Sequence, residues 1–277
     1  VFFALNSVSG FKRSFSVDDV TSVFAEHERV PDWALYIIAF VAPLTLTWGI
    51  NALTVRSWWD AHASALGPVV LSLALAGSIT QFTKITVGRP RPDLLDRCQM
   101  ASSTVDPPFG LSTVAICNQP DTAKLEDGFR SFPSGHSSLS FAGLGFLAFY
   151  LAGKVHLFDG RGHAPKAWLA LTPLAGAALV AISRTMDYRH HWQDVLVGSL
   201  LGFVIAYFSY RHYYPSLASP HAHFPHPPRT EPPPQQPLLP VHTRASAAYG
   251  VPYSDLDGAD AITEDGAELA VDGRARG

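Results

Sequence analysis

Three short polar clusters carry the residues of this sequence that could bind and transform an anion. Each borders an apolar stretch, and they read KITVGRPRP (84–92), FPSGHS (132–137) and SRTMDYRHHWQD (183–194). Lys84, Arg91 and Arg184 are costly beside apolar segments unless they face a cavity or a partner. Guanidinium groups bind phosphate oxygens in pairs, and an ammonium group adds a point charge. If the clusters meet, three such cations predict a phosphate site. If the clusters stay apart, each cation could simply extend to an aqueous interface.

The second cluster predicts a helix N-terminus suited to an anion. Ser134 can cap the helix that follows, and Gly135 lets a ligand approach the backbone closely. The open amides and the dipole of a helix N-terminus attract negative charge. His136 would then lie in the first turn, beside the anion. A plain helix cap would explain Ser134 and Gly135 equally well.

The third cluster contains a histidine and a carboxylate that could work together. His190 and Asp194 lie on one helical face if the final helix begins within this cluster. A carboxylate beside an imidazole fixes its tautomer and raises its basicity, and such an imidazole can attack phosphorus. A helical surface contact is the plain alternative. Two histidines and a carboxylate could also suggest a metal site, but the neighbouring cations would repel a divalent metal, so we predict none.

Five apolar runs predict the elements that position these clusters. The runs cover residues 33–53, 65–83, 137–153, 167–182 and 195–210. The chain is 47% hydrophobic and 16% charged, whereas a soluble domain is about 25% charged, and a membrane helix needs about 20 apolar residues. We therefore predict an all-α, multi-pass membrane helix bundle. Buried helices of a large soluble protein are the alternative, and five such runs make it the weaker one.

Alternation of the helices predicts that the three clusters share one face of the membrane. The 65–83 helix ends at the first cluster, the 137–153 helix begins at the second, and the third joins the last two helices. The loops at 54–64 and 154–166 and the segment after residue 210 are modestly basic, as cytoplasmic loops are. We therefore expect the site to face the lumen or the exterior and the C-terminal tail to be cytoplasmic.

Composition divides the chain into a membrane-embedded domain at residues 1–214 and a disordered tail at 215–277. The tail is rich in Pro and His and then in Ala, Gly and Asp, so it cannot bury a core. Its PPPQQP segment (232–237) could bind an SH3 or WW domain, although a solvated tail is the simpler interpretation. We interpret VFFAL (1–5) as the end of a helix cut off upstream.

Charge and cysteine content restrict the remaining function classes. A net charge of −3 argues against nucleic acid as a partner. Cys98 and Cys117 both fall in the polar loop between the first two clusters. They are expected to form a disulfide if this loop faces a lumen or the exterior, and otherwise to be two free thiols.

Taken together, the clusters resemble the tripartite signature of the phosphatidic acid phosphatase type 2 superfamily. That signature reads Lys, six residues, Arg-Pro; then Pro-Ser-Gly-His; then Ser-Arg, five residues, His, three residues, Asp. Every position matches, at Lys84–Pro92, Pro133–His136 and Ser183–Asp194. The likeness covers about residues 10–215. YRHYYPSL after the last helix resembles the fungal branch, which includes diacylglycerol pyrophosphate phosphatases, and the family's six helices imply an incomplete first helix here.

The resemblance implies a mechanism without metal or cofactor. His190 would attack phosphorus and form a phosphohistidine, with Asp194 orienting it. His136 would protonate the leaving alcohol and then activate water. The residues implied to hold the phosphoryl oxygens are Lys84, Arg91, Arg184, Ser134 and the Gly135 amide. Arg89, Asp187 and His191 lie outside the signature, and we interpret them as supporting or interfacial residues.

The implied substrates are phospholipids of the bilayer: phosphatidate, diacylglycerol pyrophosphate or lysophosphatidate. Sphingoid base phosphates and polyprenyl diphosphates are alternatives within the same superfamily. A non-catalytic, lipid-binding adaptor is the alternative from another class, but such relatives have lost signature residues. The organelle stays open among vacuole, Golgi, endoplasmic reticulum and plasma membrane.

Overall fold

Helices account for nearly all the regular structure in the described part of the chain. The computed structural model describes residues 8–17, 28–54, 58–101 and 103–226. The five long helices are α1 Asp32–Thr54, α2 Trp58–Val87, α5 Gly135–Lys154, α6 Ala164–Met186 and α7 Trp192–Tyr213. Within those ranges, the β-structure is a single bridge between Phe15 and Ser112. The predicted all-α class is confirmed, and each apolar run forms one long helix.

The bundle has the length and surface of a membrane protein. Four helices, α1, α2, α6 and α7, are long and apolar enough to cross a bilayer. Large apolar side chains on their outer faces are exposed, including Phe82 at 63% and Leu179 at 70%. Such faces are unfavourable in water but suit hydrocarbon.

Helix α5 lies at the centre of the bundle, packed against α2, α6 and α7. Its serines Ser137, Ser138 and Ser140 are buried. Two glycines of α7 permit the close approach: a methyl group at Gly198 would lie 2.6 Å from the Ser134 carbonyl oxygen, and one at Gly202 would lie 2.2 Å from that of Ser138. Small residues at helix contacts are typical of membrane bundles.

A buried polar network joins the helix ends farthest from the three clusters. Tyr150 Oη donates to Asn51 Oδ1 at 2.8 Å, and Asn51 Nδ2 donates to Tyr214 Oη at 3.1 Å. Tyr214 Oη in turn donates to the Ser64 carbonyl oxygen at 3.0 Å. The network connects α1, α2 and α5 with the residue that follows α7, so it holds this end of the bundle while the other end forms the site.

A compact loop region connects α2 to α5 and carries the two cysteines. It contains α3 Leu94–Cys98, a 3₁₀ turn at Val114–Ile116 and α4 Thr122–Gly128. Cys98 and Cys117 form a disulfide, and the residues packed around it include Leu94, Phe129 and Phe15. This small core holds together the loop region, which begins directly after the first cluster.

The chain after α7 is described only as far as residue 226. Residues 215–226 form turns; the His226 amide donates to the Tyr213 carbonyl oxygen at 2.9 Å, and Ala222 is buried. The PPPQQP segment and the rest of the chain to residue 277 lie outside the described residues, as does VFFAL at the start. The boundary at residue 214, the disordered tail and the truncated helix therefore stay predictions.

Candidate active site

The three clusters meet at one end of the bundle, around a cavity of about 230 Å³. Six of the predicted site residues line it: Lys84, Arg91, Gly135, His136, Arg184 and His190. They come from the end of α2, the start of α5, the end of α6 and the loops beside them. The clusters therefore meet at one end of the bundle, as the alternation of the helices predicts.

The tautomer and the charge state of His190 are set by its backbone partner and its surroundings. It is buried, and its Nδ1 donates to the Ser131 carbonyl oxygen at 2.7 Å. Because Nδ1 carries the proton, the Nε2 lone pair is free to attack. Burial, reinforced by the positive charges of Arg91 and Lys84, lowers the pKa of His190 well below its ordinary value, so the imidazole stays neutral at physiological pH.

Asp194 supports His190 indirectly, which differs from the expected arrangement. Helix α7 begins at Trp192, so His190 lies before the helix and the pair does not stack on one helical face. Asp194 Oδ1 accepts from Arg89 Nη1 at 2.7 Å, and Oδ2 accepts from Ser131 Oγ at 2.5 Å. Oδ2 also accepts from the His191 amide at 3.2 Å, which caps the start of α7. The expected direct pair of His190 and Asp194 is therefore not formed, because the carboxylate is bonded to Arg89, Ser131 and His191.

Ser131 joins the three clusters, and the sequence analysis did not select it. Its amide donates to the Arg89 carbonyl oxygen at 3.1 Å, its hydroxyl donates to Asp194, and its own carbonyl accepts from His190. The residue is fully buried. Its position directly before Phe-Pro-Ser-Gly-His was the available signal, but a serine in a loop has no pattern that distinguishes it.

We expect Ser131→Ala to lower kcat about 10- to 100-fold, with little change in KM, because a hydrogen bond to a buried carboxylate contributes about 1.5–3 kcal/mol. The variant keeps the carbonyl that fixes His190 but loses the hydroxyl that fixes Asp194. Steady-state kinetics would measure it. Ser131→Thr keeps a hydroxyl and should recover most of kcat; equal losses in both variants, or none in either, would contradict the role.

Arg91 is held in place by the loop region. Its amide donates to the Gly128 carbonyl oxygen at 2.8 Å, and its Nη2 donates to Asp127 Oδ1 at 2.7 Å. Asp127 also accepts from Arg97 Nη1 at 2.9 Å. Burial alone would raise the pKa of Asp127, but the charges of Arg91 and Arg97 outweigh it and lower the pKa to about 2. Asp127 is therefore an anion that holds Arg91 beside the cavity.

Arg184 is almost fully buried and bonded on three sides. Its Nη2 donates to Asp187 Oδ2 at 2.9 Å, its Nε donates to Ser183 Oγ at 3.1 Å, and its Nη1 donates to Glu28 Oε2 at 2.8 Å. Asp187 also binds Arg29. The structure thus agrees with the interpretation of Asp187 as a supporting residue, since it fixes the guanidinium group that faces the cavity.

The second cluster forms a helix start, as predicted. Ser134 is the N-cap of α5; its Oγ accepts from the Ser137 amide and hydroxyl, and it is fully buried. The structure therefore gives Ser134 a capping role, and its phosphate contact stays a prediction. A methyl group at Gly135 would lie 3.5 Å from Lys84 Nζ, so the start of α5 and the ammonium group lie next to each other.

The comparisons with known proteins agree with this geometry. The chain matches the PAP2 superfamily over residues 65–217, which includes all three clusters. It belongs to the PAP2 superfamily. It is 45% identical over 212 residues to a probable diacylglycerol pyrophosphate phosphatase 1 of Schizosaccharomyces pombe, which covers 75% of this chain and 74% of the relative.

Two further relatives have matches of similar extent. The diacylglycerol pyrophosphate phosphatase 1 of Saccharomyces cerevisiae is 40% identical over 218 residues, 76% of this chain and 74% of its own. Lipid phosphate phosphatase 2 of Arabidopsis thaliana is 37% identical over 224 residues, 80% of this chain and 76% of its own. No solved structure matches this chain.

The sequence analysis of this PAP2 chain missed three carboxylates that line the cavity, namely Asp127 and the two beside His136. Asp32 Oδ1 lies 3.6 Å and Glu28 Oε2 lies 3.9 Å from His136 Nε2, which donates to the Val30 carbonyl oxygen. The alternation of the helices could have revealed them, because α1 begins at the face where α2 ends. Ligand atoms of Glu28, Asp32 and His136 lie within 4.8 Å of one another, a spacing that could hold a cation, so the prediction of no metal needs a direct test.

An apolar groove opens beside the cationic cavity of this PAP2 protein. It has a volume of about 310 Å³ and lies between α1, α2 and α5, lined by side chains such as Phe40, Val70 and Leu73. Leu35, Tyr36 and Leu139 line both the groove and the cavity. A ligand that reaches across these three residues would need a charged head and an apolar tail.

Proposed function

We propose that this protein is an integral-membrane lipid phosphate phosphatase that releases inorganic phosphate from phosphatidate, diacylglycerol pyrophosphate or a related phospholipid. One observation carries the proposal: cations from the first and third clusters line a single cavity together with His136 of the second cluster and His190 of the third. The family membership and the names of relatives at 37–45% identity support the phosphatase class. The adjoining apolar groove supports an amphiphilic substrate.

In the first step, the Nε2 lone pair of His190 forms a bond to phosphorus as the bond from phosphorus to the leaving oxygen breaks. His136 donates a proton to that oxygen, so the leaving group departs as an alcohol or, from a diphosphate, as a phosphate monoester. The product is a phosphohistidine at His190. Such a covalent intermediate divides one difficult displacement into two easier ones.

In the second step, His136 takes a proton from water while the water oxygen bonds to phosphorus. The bond between phosphorus and His190 Nε2 breaks, its electron pair returns to the nitrogen, and inorganic phosphate is released. One group can act first as acid and then as base because it ends each step in the protonation state that the next step requires.

Throughout both steps, Lys84, Arg91 and Arg184 stabilise the negative charge that accumulates on the phosphoryl oxygens. Their carboxylate partners hold Arg91 and Arg184 in position before the substrate arrives, so little reorganisation is needed during the reaction. Removing one such donor typically costs about 10²- to 10³-fold in kcat. The Gly135 amide, at the start of α5, supplies a further donor.

For the topology, we propose that the active site faces the lumen or the exterior and that the tail is cytoplasmic. The Cys98–Cys117 disulfide supports this orientation, because it lies in the same loop region as the site and disulfides persist in oxidising compartments. The organelle is left open by these features.

We expect the purified full-length protein to release phosphate from phosphatidate and from diacylglycerol pyrophosphate at an unchanged rate when EDTA is added, because the mechanism uses protein cations only. Phosphate release in detergent micelles would measure it. If EDTA abolishes turnover and a divalent metal restores it, the metal-independent mechanism is refuted and Glu28, Asp32 and His136 become the first candidate ligands. Failure to hydrolyse any lipid phosphate would refute the function itself.

A further inference from the structure

Arg189 is a cavity-lining cation that lies outside the family signature. Its side chain is 8% exposed, and it contributes to the cavity together with Lys84, Arg91 and Arg184. It directly precedes His190 in the chain. Asp93, which is fully buried, lies 3.9 Å behind its Nη1. The guanidinium group of Arg189 therefore has the buried carboxylate of Asp93 near one side and lines the cavity with another.

One carboxylate bridges Arg189 and Arg184 in the cavity. Glu28 Oε1 lies 3.2 Å from Arg189 Nη2, and Glu28 Oε2 lies 2.8 Å from Arg184 Nη1. The same Oε2 atom lies 3.9 Å from His136 Nε2. Two guanidinium groups around one carboxylate form the arrangement that also binds a phosphate group. Glu28 thus marks an anion position beside the proposed acid.

The position of this anion relative to the two histidines suggests what replaces it. In an in-line displacement, the leaving group departs on the side of phosphorus opposite the nucleophile. His190 would be the nucleophile and His136 the acid, so the leaving group belongs at His136, where Glu28 lies. The leaving group of a phosphomonoester is a neutral alcohol, which gains nothing from a second arginine. The leaving group of a diphosphate is itself a phosphate and carries negative charge.

We propose that the inner phosphate of a lipid diphosphate displaces Glu28 and binds Arg189, sharing Arg184 with the transferred phosphoryl group, and that Arg189 thereby makes the enzyme prefer diphosphates over monophosphates. The inference rests on the proposed function and names its substrate class. The terminal phosphoryl group is transferred to His190 Nε2, the bond from its phosphorus to the bridging oxygen breaks, and that oxygen leaves with the inner phosphate, which Arg189 stabilises. Arg189 contacts the leaving group and is a specificity residue in this scheme.

The test compares diacylglycerol pyrophosphate with phosphatidate of the same acyl chains in the same mixed micelles, using wild type and Arg189→Gln. We expect kcat/KM for the diphosphate to fall about 10- to 100-fold, because a charge-assisted hydrogen bond is lost. We expect kcat/KM for phosphatidate to fall less than about threefold. Arg211→Gln is the matched control, because Arg211 is an exposed arginine at the opposite end of α7. Its substrate ratio should equal that of wild type.

Equal losses on both substrates would overturn the proposal, because they would show that Arg189 only supports the adjacent His190; no loss on either would overturn it as well. If Arg189→Gln does not fold, Glu28→Gln provides a second test of the site. Removing the competing carboxylate should lower KM for the diphosphate several-fold more than KM for phosphatidate, and equal changes would count against the site. Wild type that hydrolyses neither lipid would refute the phosphatase function, a result distinct from a lost preference.

Discussion

His190→Ala is expected to reduce phosphate release from phosphatidate by a factor on the order of 10⁴ or more, the loss seen when a covalent nucleophile is removed. The structure gives the reason: the imidazole is buried beside the cationic cavity, and its Nδ1 proton is committed to the Ser131 carbonyl oxygen. Initial rates with purified protein in micelles, at saturating and limiting lipid, would measure the effect.

The matched control for this variant is His212→Ala. His212 is an exposed histidine near the end of α7 that is remote from the clusters, so its removal should leave turnover within about twofold of wild type. A His190→Ala protein that unfolds at the wild-type temperature yet keeps more than a tenth of its activity would exclude His190 as the nucleophile.

His136→Asn is expected to slow turnover of phosphatidate about 10²- to 10⁴-fold, the usual contribution of a general acid and base. The two steps should respond differently to the substrate. An alkoxide is a poor leaving group without a proton, so phosphatidate should fail at the first step. An aryl phosphate has a good leaving group, so it should still phosphorylate His190. Hydrolysis of the phosphohistidine should then be slow, because no base activates the attacking water.

This difference gives the variant a positive signature. His136→Asn exposed to radiolabelled aryl phosphate should retain acid-labile phosphate on the chain, in an amount approaching one per molecule. The double variant with His190→Ala should retain none. If the single variant accumulates no phosphoenzyme although it hydrolyses the aryl ester slowly, then either the intermediate or the second role of His136 is wrong.

The sequence alone was sufficient to predict the bundle and the meeting of its clusters. Long uncharged runs have one stable arrangement in hydrocarbon, a helix, because every backbone polar group must bond internally. Consecutive helices that cross the bilayer then alternate in direction. The start of α5 at Gly135 and the end of α2 at Val87 lie at one face for this reason, and the match to the family signature followed from residue order alone.

Only the tertiary structure decided how the site is connected. Helix α7 begins two residues after His190, and this offset separates His190 from the face that Asp194 occupies. Asp194 instead bonds to its neighbour His191 and to Ser131 and Arg89, which are both distant in sequence. Glu28 reaches Arg184 and Arg189 from a segment that precedes the first described helix.

The physical reason is the range over which each kind of information acts. Hydropathy and helix direction depend on the local chain and on the bilayer, so they can be read along a sequence. The direction of a buried side chain depends on the path of loops that pack against one another, and a shift of one or two residues in a helix start turns it to another partner. The sequence therefore sufficed to identify the residue types of this site, whereas the packing of the loops determines which side chains bond to one another.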